Sequence, residues 1–147
     1  MKRQLLIALT IIFNFSLNAA YGYEFDLEVN SLTNCFEIWG TPIQGFASHS
    51  IERGRYVVTL KSNEARYCDA LRDYYDGCKV NKVSFYNTSN DRPNGWFYTI
   101  RLGKRITFDV TVIGTDANSV YAYFTDLFCG DNGGTAILHF KKVRNLP

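Results

Sequence analysis

The chain has no G-x-S-x-G elbow, no phosphate-binding glycine loop and no H-E-x-x-H zinc motif. These gaps remove the usual local signatures of serine hydrolases, P-loop enzymes and zinc proteases. It has only two histidines, His49 and His139, 90 positions apart. A nucleophile–base pair would need the fold to bring one of them to a partner that the sequence does not mark. His139 falls on the face opposite Leu138 and Phe140 and reads as exposed, and His49 lies in a polar stretch, ASHS. Asp73 and Asp76 form a carboxylate pair of the kind glycoside hydrolysis uses, but in a polar loop a solvated face is the simpler reading. No C-x-x-C occurs, internal repeats and low-complexity linkers are missing, and the expectation is a binding protein rather than an enzyme.

Net charge is also scarce. Lys2 and Arg3 stand before an apolar run, Leu5–Phe15, and Ala20-Tyr21-Gly22 supplies small residues at signal-peptidase positions. Residues 1–22 therefore read as a secretory signal, too short for a membrane span. The whole chain has 16 Lys+Arg and 14 Asp+Glu, so removing Lys2 and Arg3 leaves 14 of each sign. Such a domain has no global pull on nucleic acid or on anionic membranes. Residues 23–147, about 125 residues, are enough for one domain with its own core. The expected location is secreted or periplasmic.

What remains is rich in strand signals. Phe25, Leu27 and Val29 alternate, as do Val83 and Phe85 against Lys82 and Ser84. Cys35–Trp39, Arg55–Leu60, Trp96–Ile100, Ile106–Val112, Tyr121–Phe124 and Thr135–Lys141 are β-branched or aromatic runs between turn residues. About eight such segments at even spacing predict an all-β fold, an antiparallel β-sandwich or jelly roll. Ser62–Tyr75 is the exception. Asn63 can cap it and Tyr67, Leu71 and Tyr74 share a helical face, so one short helix is expected there.

Four cysteines, Cys35, Cys68, Cys78 and Cys129, lie in the exported part. An oxidising compartment favours two disulfides, and three connectivities are open. In one of them Cys68–Cys78 closes a local loop and Cys35–Cys129 staples an early strand to the acidic loop around Asp126–Asn132. The 11 Phe, 10 Tyr and 2 Trp should mostly fill a core. Tyr74-Tyr75 and Trp96, beside turn residues, are the ones expected to offer stacking faces to sugar rings.

Val120–Lys141 carries the functional signal. Val120, Ala122 and Phe124 alternate with Tyr121 and Tyr123, and Ala136, Leu138 and Phe140 alternate with Ile137, His139 and Lys141. Between these strands Asp126, Asp131 and Asn132 crowd a glycine-rich loop with no cation among them. Two readings stand side by side: an ordinary hairpin turn of D-N-G-G type, or an oxygen-rich site for a hard cation such as calcium.

This loop resembles that of the calcium-dependent bacterial galactophilic lectins of the PA-I type. Thr125-Asp126, a short loop, Asp131-Asn132, two glycines and a closing strand follow the lectin pattern. Gly54 opening RYVVTLKSNEARY, with Tyr67 at the ungapped position, is a second match. The loop is shorter here, and Asp131 stands where the lectins usually have Asn. The resemblance implies a β-sandwich that binds carbohydrate through calcium, a galactose-type sugar among the candidates. It implies metal ligands at Asp126, Asp131, Asn132 and the Tyr67 carbonyl. Sugar contacts would come from Asp126 and Asp131, with Leu127 beside them and His49 or Tyr74 closing the pocket. Self-association into a homo-oligomer is left open. A different class also fits the composition: a small disulfide-stabilised inhibitor or immunity protein whose aromatic loops cap another protein.

Overall fold

The computed structural model describes residues 22–38, 45–67, 78–87, 97–111 and 119–146. The described chain forms nine strands: β1 Glu24–Asn30, β2 Cys35–Glu37, β3 Ala47–Ser50, β4 Gly54–Asn63, β5 Lys82–Asn87, β6 Phe97–Arg101, β7 Arg105–Val110, β8 Ser119–Asp126 and β9 Thr135–Arg144. β1, β9, β4 and β7 form one sheet in that order. In the second sheet β8 is flanked by β5 and then β6 on one side, and by β2 and β3 on the other. All pairings are antiparallel except the three-residue contact of β2 with the end of β8.

The alternation predicts the faces. Leu27 and Val29, Tyr56, Val58 and Leu60, Phe108 and Val110, and Ala136, Leu138 and Phe140 turn inward from the first sheet. Val83 and Phe85, Ile100, and Val120, Ala122 and Phe124 turn inward from the second. The sheets meet through rings: Phe85 lies edge-on to Phe140 at 5.6 Å and to Phe108 at 5.8 Å. Such ring pairs add directionality to the apolar burial that holds two sheets face to face. The protein is thus an all-β sandwich.

The expected helix at 62–75 does not form over its described part. Ser62 and Asn63 belong to β4, past a register shift at Leu60/Ser62. The chain then stays extended: Glu64 N–H donates to Thr135 O, Arg66 N–H to Gly133 O and Tyr67 N–H to Cys78 O. Those backbone groups find long-range partners, and the burial of Ala65 holds the segment against the core. Sheet pairing therefore outcompetes a local helical spacing. Residues 68–75 lie outside the described part.

Cys35 and Cys129 are bonded, with their Cα atoms 5.9 Å apart. Cys78 is also in a disulfide, while Cys68, its expected partner, lies outside the described residues. Disulfides belong to oxidising compartments. Among the described residues, no helix is long and apolar enough to cross a membrane.

Candidate functional site

β8 belongs to the second sheet and β9 to the first. The acidic loop between them is therefore not a hairpin turn. It is an arch across the open end of the sandwich, spanning the roughly 10 Å that separates packed sheets. An arch has no neighbouring strand of its own to satisfy its backbone, so other segments must do so. Ser31 Oγ lies 2.6 Å from Gly133 O and 3.0 Å from Gly134 O, and Ser31 N–H donates to Gly134 O. Gly133 exchanges both backbone bonds with Arg66. Cys129–Asp131 forms a single 3₁₀ turn, closed by Asn132 N–H on Cys129 O at 3.2 Å. The Cys35–Cys129 bond pins that turn to β2. Gly134 has φ +80°, and a Cβ there would run into the Glu64 carbonyl, so only glycine closes the arch.

This arrangement gathers the residues that the sequence marked. Asn132 is only 7% exposed; its Nδ2 donates to Ser31 O at 3.0 Å and lies 3.3 Å from Cys35 Sγ. Its Oδ1 is buried with no hydrogen-bond partner. Burial raises the Asp126 carboxyl above its ordinary value and the charge of Asp131 raises it further. Bonds from Leu127 N–H, at 2.7 Å to Oδ1, from the Asn132 amide and from Phe128 N–H oppose that rise. Burial also raises the Tyr67 phenol, and Asp126 adds to it. Tyr67, Asp126, Asp131 and Asn132 therefore meet at one end of the sandwich. It is the Tyr67 phenol whose titration registers the Asp126 charge.

Does this set fit calcium? A carboxylate whose ionised form is disfavoured by burial and by a neighbouring Asp131, together with a buried amide oxygen lacking a donor, offers hard oxygens of the type calcium takes. Among the described residues, no three His, Cys, Asp or Glu side chains converge as a metal cluster. The third side-chain donor is accordingly the Asn132 amide, which suits calcium better than a transition metal. The donor set fits.

The remaining marked residues go elsewhere. His49 pairs with Val120, six residues before Asp126 on β8, and so lies about 20 Å from the arch. There it stacks on Phe25, with ring centroids 4.0 Å apart. It does not close a pocket over the acidic loop. Leu127 is exposed on the arch beside exposed Phe128. Tyr74, with Asp73, Tyr75, Asp76 and Trp96, lies outside the described residues.

A second feature was not singled out from the sequence. The outward positions of the second sheet carry Tyr86, Phe97, Tyr121 and Tyr123, and Phe46 enters from the start of β3. Tyr86 and Tyr121 stack at 5.2 Å, Tyr86 and Phe97 lie 5.1 Å apart, and Phe46 sits edge-on to Tyr86, Tyr121 and Tyr123 at 5.6–5.8 Å. Of these, Phe46, Tyr86, Phe97 and Tyr123 enclose, with Phe36 and Thr125, a cleft of about 440 Å³. The signal was present in Tyr121 and Tyr123, which alternate against the core positions of β8. Phe36 and Phe46 join them only through tertiary pairing. No protein-family model matches this chain, and no curated protein or solved structure matches it either.

Proposed function

We propose that this protein is an exported, calcium-dependent carbohydrate-binding domain of lectin type, without enzymatic activity. The observation that carries the reading is the meeting of Tyr67, Asp126, Asp131 and Asn132 at the arch, with Asn132 Oδ1 buried and unpaired. Asp126, Asp131 and Asn132 would hold the ion. Bound calcium supplies open coordination positions for a pair of sugar hydroxyls. The chain's own part is to keep the arch rigid. The disulfide, Ser31 and Arg66 fix the backbone before any ligand arrives, so little ordering remains for binding to oppose. The disulfides and the leader-like residues 1–22 support export, to the periplasm or beyond.

The test is a melting curve of chelator-treated protein with added calcium. A ligand that binds only the native state at a hundredfold excess over Kd stabilises it by about 2.7 kcal/mol. The melting temperature should rise by several degrees. Asp126→Ala should abolish the rise and any calcium-dependent sugar binding. Asp131→Asn should keep part of both, because an amide oxygen still ligates. A wild-type curve unmoved by millimolar calcium would overturn the reading. It would favour a disulfide-stabilised inhibitor that docks through the arch, where Ile38, Leu127 and Phe128 are exposed.

A further inference from the structure

The aromatic cleft on the outer face of the second sheet lies on the other side of β8 from the inward positions that lead to Asp126. We propose that the cleft lined by Phe36, Phe46, Tyr86, Phe97, Tyr123 and Thr125 is a separate, metal-independent site that stacks a pyranose ring of a neutral glycan. Its size, about 440 Å³, falls within the range of small-molecule sites.

The chemistry of the lining selects the occupant. Among the described residues the lining contains no charged side chain, so the cleft offers an anionic ligand no counter-charge. It does offer aromatic faces together with the hydroxyls of Tyr86, Tyr123 and Thr125. A neutral pyranose has the same two characters, an apolar C–H face and a rim of hydroxyls. A purely apolar ligand would leave the phenols without partners. Phenols are protonated at neutral pH, and burial raises those of Tyr86 and Tyr123 further, so both are O–H donors.

The rings are also set in advance. Phe46 wedges its edge against three tyrosines, and Tyr86 is held between Tyr121 and Phe97. Rigid aromatics present contact area at low entropic cost on binding. Phe97 is 70% exposed. Its open face is available to a ligand, and its removal leaves the core untouched.

The cleft ends one residue from the arch, since Thr125 lines it and Asp126 follows. The two sites can nevertheless be separated experimentally. Isothermal titration with neutral oligosaccharides, β-linked glucose and galactose tetramers, is run in excess EDTA. Binding by at least one of them is expected. Phe97→Ala should weaken it at least tenfold, Tyr123→Phe should keep most of it, and Thr107→Ala, exposed on the first sheet, should leave it unchanged. The calcium melting shift is measured on the same Phe97→Ala protein and should persist, so failure at one site is not mistaken for failure at the other. Three results would overturn the proposal: no binding in EDTA at millimolar sugar, binding that Phe97→Ala leaves intact, or a cleft that takes up only a protein partner. Should Tyr123→Phe fail to fold, Phe97→Ala alone still decides.

Discussion

The outer faces of the two sheets differ, although their inner faces are built alike. On the first sheet, outward positions carry Asp26, Lys61 and His139 as one cluster, with Lys61 Nζ 2.9 Å and His139 Nδ1 2.6 Å from the Asp26 carboxylate. Nearby on the same face, Arg55 and Asp109 form a two-bond ion pair at 2.6 and 2.7 Å. On the second sheet, the equivalent positions carry Tyr86, Tyr121, Tyr123 and Phe97. Strand alternation accounts for both inner faces, because both bury β-branched and aromatic residues. It demands nothing of the outer faces except solubility. Ion pairs on the first sheet satisfy that demand by presenting charged groups to solvent. A cluster of rings leaves apolar area that water does not favour, and contiguous apolar patches of this kind mark interaction sites. The difference is the reason recognition is proposed for the second sheet and its adjoining arch.

The contrast should break first at the disulfide. β2 is only three residues long and pairs with β8 alone, yet Phe36 on it forms one wall of the cleft. The Cys35–Cys129 bond spans 94 positions. Cross-links of about that span contribute roughly 4–5 kcal/mol in the chain-entropy picture. Replacing both cysteines by serine should lower unfolding free energy in urea by about 3–5 kcal/mol. Hydrogen exchange should accelerate at Phe36, Glu37 and the arch, and remain slow at the β1–β9 pairing beneath the charged cluster. Equal loosening of both faces would show that the bond supports the whole sandwich and not the recognition side.

A smaller effect separates the faces by chemistry. Tyr121→Ala removes one stacked and one edge-on partner. Aromatic pairs are worth about 0.5–1.5 kcal/mol each beyond area burial, so a loss of about 1–2 kcal/mol is expected. It should be the same in dilute buffer and at about 1 M salt, where screening reaches down to about 3 Å. Thr107→Ala, an exposed position on the first sheet, should stay within about 0.5 kcal/mol. A salt-dependent loss at Tyr121 would mean that its phenol, not its ring, holds the face together.

Much of the inner architecture was legible in the chain because it is local. Val120, Ala122 and Phe124, like Leu138 and Phe140, declare their buried face by alternation alone, and all five are buried. The acidic arch was marked by its composition, and Asp126 on it lies near enough to Tyr67 for its charge to act on the phenol, not on the carbonyl that the lectin pattern uses. Its geometry was not legible, because D-N-G-G serves a hairpin and an arch equally well. Only the pairing of β9 with β1 and β4, set by distant residues, decides between them. β3 was missed for a related reason. Ala47–Ser50 has the polar sequence ASHS and becomes a strand because the edge of β8 offers it a backbone partner. The cleft escaped notice because its walls come from four strands and the residue before β3. Alternation shows which side chains point out, but not which of them converge.

The smallest expected effect lies on the charged face and has a definite sign. The hydrogen bond from Lys61, then that from His139, holds the Asp26 carboxyl below its ordinary value of 3.8. A carboxyl lowered by folding stabilises the native state above the unfolded value, and that contribution disappears as pH falls through the lowered one. Asp126 behaves in the opposite way. Burial raises its carboxyl, so its ionised form opposes folding at neutral pH, and protonation relieves that cost as pH falls through the raised value toward 3.8. In metal-free protein, Asp26→Asn should therefore lower stability at neutral pH by less than about 1 kcal/mol, as exposed ion pairs do. The difference from wild type should close in the acid range below 3.8. Asp126→Asn should raise metal-free stability at neutral pH, with the gain shrinking as pH falls toward 3.8. Urea midpoints of the two variants between neutral pH and the acid limb give the comparison directly. If the two difference curves have the same sign, Asp126 is an ordinary solvated carboxylate, and the arch has no unmet need for positive charge that calcium could fill.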